Sequence, residues 1–303
     1  MFMTLKHRQR YAAFSVPFLA VFALAVMPVT VQAHPETAAH HEDPDHHHDH
    51  SDSKGGSNLG DAATNPVAPL MSMRLQYQNS PSNYNADGYS QAGIGQAVIP
   101  IPLDSKAVPM LITRTTIPYV STPDLGEPVN RKHGFGDTSI LAFALPNFGL
   151  PKGHTIAMGA SIGVPTAGDN EFTGSGQWQL GPTVAYLNTK TKGLQWGMMV
   201  YQNWDVASTR SDAQDVDNVN FQPILNYHFG TGWYVGLPDL PQTYNNETNN
   251  WTTQLGGVLG RVFPYGKQHL QMYGGVYYNT EEDDEAIASE WTLKFNLSFL
   301  LPE

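Results

Sequence analysis

The sequence predicts an all-β protein, a transmembrane antiparallel β-barrel of about twelve strands. Three observations predict it: a period-two alternation of apolar and polar residues along the chain, connections that alternate between short and long, and tryptophans at strand ends. Charged residues make up only 14% of the chain, against about a quarter in an ordinary soluble domain, so something other than charge solvates much of this surface.

Residues 1–33 read as a secretory signal. Lys6, Arg8 and Arg10 precede an apolar stretch from Ala12 to Val29, which Pro17 and Pro28 interrupt and Val31-Gln32-Ala33 closes. Cleavage after Ala33 removes three bases from 16 and leaves 13 against 27 acids, a balance that excludes nucleic acid as a partner. No later segment reaches the roughly 18 apolar residues of a spanning helix. The absence of cysteine excludes disulfides, thiolate metal sites and a thiol nucleophile.

Residues 34–65 have few apolar side chains to bury and read as a disordered periplasmic tail. Seven of the 12 histidines lie here, among them His40, His41, His46, His47, His48 and His50, interleaved with carboxylates. Neutral imidazoles beside carboxylates suit Zn, Ni or Cu, so the tail is a candidate metal-binding segment; a solvated spacer is the alternative.

The barrel spans 66–303. Met71, Met73, Leu75 and Tyr77 alternate with Ser72, Arg74, Gln76 and Gln78. Ile156, Met158, Ala160 and Ile162 oppose smaller residues, Val219 to Phe229 repeat the division, and Trp291, Leu293, Phe295, Leu297 and Phe299 oppose Thr292, Lys294, Asn296 and Ser298. Strand centres fall near residues 74, 95, 112, 141, 159, 182, 199, 223, 235, 256, 273 and 295.

A soluble sandwich also alternates, and the connections discriminate. Short ones at 102–106, 188–193, 230–232 and 264–268 lie between longer polar ones at 80–88, 120–135, 166–175, 205–217, 238–250 and 280–289. Trp178, Trp204, Trp251 and Trp291 sit near the long loops, and Trp196 and Trp233 near short turns, as two interfacial girdles require.

The order of several short motifs resembles a family of bacterial outer-membrane channels, the MetA-pathway phenol-degradation family. They include Asn65-Pro66, Arg114-Thr-Thr-Ile-Pro118, Gly134-Phe-Gly-Asp137, Gly163-Val-Pro-Thr-Ala167, Trp178-Gln-Leu-Gly-Pro182 and Gln222-Pro-Ile-Leu-Asn-Tyr227. The resemblance covers about residues 65–302 and implies a transporter-like barrel without a catalytic set.

Strand phase nominates Arg74, Gln76, Arg114, Asn220, Gln222, Asn226, His228, Lys294 and Asn296 as pore-lining residues, because a cation facing lipid at mid-bilayer costs about 2 to 4 kcal/mol. The same residues could instead form a network that closes the lumen. Asp137 is expected to accept backbone bonds at a turn. No histidine of the barrel sits in a recognisable nucleophile motif, so no catalytic residue is expected.

The expected function is passive passage of small hydrophilic or aromatic solutes across a Gram-negative outer membrane, with accessory metal binding by the tail. The expected partners are membrane lipid, the solute and the barrel-assembly machinery. A metal-handling protein, a barrel hydrolase and a soluble secreted sandwich are the alternatives.

Overall fold

A computed structural model describes residues 54–127, 129–168, 171–266, 268–281 and 287–301. A helix, α1 (Lys54–Thr64), precedes fourteen strand segments. These are β1 (Met71–Ser80), β2 (Ser90–Pro102), β3 (Met110–Ser121), β4 (His133–Phe135), β5 (Thr138–Leu145), β6 (His154–Val164) and β7 (Gln177–Asn188). β8 (Leu194–Ser208), β9 (Asp217–Phe229), β10 (Trp233–Gly236), β11 (Gln242–Asn245), β12 (Asn250–Tyr265), β13 (Gln268–Glu281) and β14 (Trp291–Leu301) follow.

Each segment pairs antiparallel with its neighbours, and β14 returns to β1 from Met71 opposite Leu301 to Asn79 opposite Leu293. Closure leaves no free edge in lipid. β4 and β5 share one position beside β3, and β10 and β11 share one between β9 and β12, so fourteen segments occupy twelve positions. All twelve expected strand centres lie within these segments.

The alternation read from the sequence becomes the two faces of the wall. Along β1, Met73, Leu75 and Tyr77 are exposed while Gln76 and Ser80 are buried; along β14, Phe295 is 56% exposed and its neighbour Asn296 only 4%. The six tryptophans are all exposed, at the strand ends expected of them.

Both broken positions have a local cause. At β4–β5 the register moves from Thr116 opposite Ser139 to Tyr119 opposite Phe135. Pro118 of β3 has no N–H to give there, and the Gly136 amide donates to its carbonyl at 2.9 Å. A Cβ on Gly136 would stand 2.9 Å from the Pro118 ring, so glycine permits the approach. Between β10 and β11 the run Leu237-Pro238-Asp239-Leu240-Pro241 lacks two ladder donors and places Asp239 at a φ of 51°. The chain leaves the wall there and folds into the lumen. Gln242 repairs the gap, its Oε1 accepting from the Gln254 amide at 2.9 Å and its Nε2 donating to the Gln254 carbonyl at 3.0 Å.

Three expectations change. Residues 238–250, read as a long loop, contain the inward fold and β11, and only 246–249 remain as a connection. The last part of the segment read as a disordered tail forms α1. The inner face is also less polar than the nominated residues suggest. Ile112, Leu141, Phe143, Leu187 and Met199 pack inside with Val67. The signal, the rest of the tail and the acidic residues 282–285 lie outside the described residues.

Candidate functional site

Inside the lumen β1, β3, β14 and the inward fold converge to form a waist. Arg74 Nη1 stands 2.6 Å from Asp239 Oδ2, and Tyr273 donates its hydroxyl to the same oxygen at 3.2 Å. Lys294 Nζ donates to the Asp239 carbonyl at 2.7 Å and lies 4.1 Å from the centre of the Tyr277 ring. Tyr277 donates to the Pro238 carbonyl at 3.0 Å, so two tyrosines and a lysine hold the inward fold in place. Arg114 lines the same space, with Gln96, Gln222 and Asn226, around a cavity of about 50 Å³. No side-chain hydrogen bond joins Arg114 to another of the described residues. Three cations therefore gather near one carboxylate, and Arg74 alone forms an ion pair with it.

On the short-turn side of the waist, α1 occupies the lumen. Its final carbonyls have no helical partners, and amides of the wall supply them. Gln195 donates to the Asp61 carbonyl, Gln271 to Ala63 at 3.4 Å and Asn226 to Thr64 at 3.4 Å. Thr64 donates its hydroxyl to Gln195 Oε1 at 2.7 Å and lies 3.0 Å from His228 Nε2. His228 Nδ1 lies 3.1 Å from Asp61 Oδ1, close but off the line of a hydrogen bond.

Thr64, His228 and Asp61 thus fall in the order of nucleophile, base and acid. The Thr64 proton is already placed on Gln195, and the His228 to Asp61 contact is misaligned, so the trio reads as a dock for the helix rather than an activated hydroxyl.

At the long-loop end a second cavity of about 310 Å³ opens among Ser90, Thr122, Leu125, Phe172, Ile287 and Ser289. Asp137, expected to accept backbone bonds at its own turn or to face the lumen, instead anchors a distant loop on this side: its carboxylate accepts from the Ala167 amide at 3.2 Å and from the Ser175 amide and hydroxyl at 2.7 and 2.8 Å.

Every nominated lumen residue points inside the barrel. Gln76 donates to the Tyr273 hydroxyl at 2.6 Å, Asn220 accepts from Thr243 at 2.9 Å, and Asn296 donates to Ser298 at 2.8 Å. The structure gathers Arg74, Arg114 and Lys294 at the waist, puts Asn226 and His228 against the helix, and leaves Asn220 and Asn296 in contacts along the wall. Asp239, Tyr273, Tyr277 and Gln195 are the functional candidates that strand phase did not nominate. Two prolines around an aspartate, at the start of a connection read as a long loop, were the available signal for Asp239. The metal candidates His40, His41, His46, His47, His48 and His50 lie outside the described residues. Among those described, no three His, Asp or Glu side chains converge as a metal site.

A closed twelve-position barrel with an apolar belt and two aromatic girdles defines a transmembrane β-barrel of the outer-membrane kind. The fold is similar to that of an outer membrane channel from Pseudomonas putida F1, with a TM-score of 0.58 at 15% identity, covering 78% of this chain and 98% of that one. The NanC porin aligns at a TM-score of 0.47 with 11% identity, over 77% of this chain and 100% of that one. Outer membrane phospholipase A from Escherichia coli aligns at 0.41 with 16% identity, over 82% and 98%. The first likeness establishes a shared fold; the other two are too loose to add to it. No family model matches the chain, and no curated protein matches it in sequence. The family resemblance drawn from short motifs rests on those motifs alone.

Proposed function

We propose that the protein is an outer-membrane channel for passive passage of small hydrophilic solutes, held closed at rest by α1. The observation that carries this reading is the waist, where three cations gather around a single carboxylate that pairs with only one of them. A barrel that only fills its own interior gains nothing from a surplus of buried cations, whereas a path for polar solutes needs fixed charge and donors along it. The short turns and the N-terminal extension face the periplasm, the long loops face outward, and the barrel-assembly machinery inserts the chain. Aromatic solutes are a narrower version of the reading, supported by the motif resemblance.

Planar-bilayer recording tests it. The refolded chain 34–303 should give small, infrequent openings, and the same chain without 54–64 should conduct several times more. Silence in both, from protein shown to be folded, would overturn the channel reading.

A further inference from the structure

We propose that the waist is a binding site for a small carboxylate, gripped by the Arg114 guanidinium. Asp239 binds Arg74 and Tyr273 through Oδ2 and Lys294 through its backbone carbonyl, and among the described residues it makes no hydrogen bond to Arg114. Two positive charges are left without a protein counter-charge inside the barrel, a costly arrangement unless an anion supplies it.

The shape of the site selects among anions. A guanidinium presents a planar fork of donors that matches the two oxygens of a carboxylate, which a spherical halide cannot engage in the same way. Val98, Ile224 and Pro238 line the same cavity and give an apolar wall for a short hydrocarbon tail, while Gln222 adds a polar one. A volume of about 50 Å³ offers roughly four water positions, which suits an acid of two or three carbons. As a statement about the transported solute, this inference rests on the channel reading. Binding itself needs no open lumen, so the two can fail separately.

Saturation-transfer NMR on sodium acetate with the folded, detergent-solubilised mature chain reads the binding directly. Wild-type protein should give a saturable acetate signal that equimolar chloride reduces only slightly. Arg114→Gln should weaken binding at least tenfold, and Arg114→Lys, which keeps the charge and loses the fork, by a smaller factor. Heat-modified electrophoretic mobility checks that each variant is folded; should Arg114→Gln not fold, Arg114→Lys against wild type decides. No saturable signal, an unchanged affinity in the folded variants, or chloride competing as well as acetate itself would overturn the proposal. The last result would mark a counter-ion site only.

Discussion

Arg74 of the first strand and Asp239 of the inward fold stand 2.6 Å apart, although 165 residues separate them in sequence. This contact ties the inward fold to the barrel seam, because Arg74 belongs to the strand that pairs with β14. It also involves the only carboxylate that, among the described residues, lies at the waist, and that carboxylate pairs with Arg74 alone.

Replacing Asp239 by Asn should therefore destabilise the barrel by about 3 kcal/mol, the lower end of the range for breaking a buried pair, since both partners retain some exposure. The temperature at which heat-modified mobility is lost would fall in Asp239→Asn. Pairing Arg74→Met with Asp239→Leu should recover part of that fall, because Arg74 is then no longer stranded while Arg114 and Lys294 still lose their neighbouring carboxylate. A double variant as weak as the single one would show that the contact holds nothing together.

The wall makes a sharper demand at Phe295, whose ring faces lipid between the inward-facing Lys294 and Asn296. Phe295→Arg should cost about 2 to 4 kcal/mol and reduce membrane insertion, whereas Phe295→Leu should insert normally. Equal yields in the membrane fraction would reverse the assignment of faces on β14.

Gln195 makes two hydrogen bonds to the helix, one to the Asp61 carbonyl and one from Thr64. At about 1 kcal/mol each, Gln195→Leu should favour the undocked helix by about 2 kcal/mol, or about thirtyfold. Limited proteolysis of the folded barrel would register this as faster cleavage within 54–64. An unchanged rate would show that the helix is held elsewhere.

Gln242 substitutes a side-chain amide for a missing stretch of ladder. Gln242→Ala should leave the Gln254 amide without its acceptor and raise its hydrogen-exchange rate well above that of amides on β12 with ladder partners. Exchange at the wild-type rate would mean that another group takes over.

The positions of the twelve strands were legible because lipid outside and a filled interior impose period two on nearly every one. Phe295 and Asn296 show the rule at its plainest. The inward fold was not legible. Prolines at 238 and 241 mark a break in a ladder, but nothing local says that Asp239 turns toward Arg74, Arg114 and Lys294 rather than toward water. The helix escaped for a related reason. Lys-Gly-Gly-Ser-Asn-Leu-Gly is a poor helical sequence, and a short isolated helix is marginal in water. Its order comes from Gln195, Asn226 and Gln271, which lie far along the chain. Around Phe143, β5 is apolar on both faces and carries no phase signal, while Ile112 and Met199 share their inner faces with Arg114 and Gln195, so the polar neighbours marked those faces as polar.

Only residues 65–70 connect the end of α1 to the start of β1. Fully extended at about 3.5 Å per residue, that leash reaches about 20 Å, so a helix released from the lumen stays close to the mouth it left. Its return is intramolecular, at an effective concentration of order millimolar that dilution of the protein does not alter. On the proposed reading, the balance between docked and undocked forms would be set within a single chain, by the few groups that hold the helix and by the length of the leash.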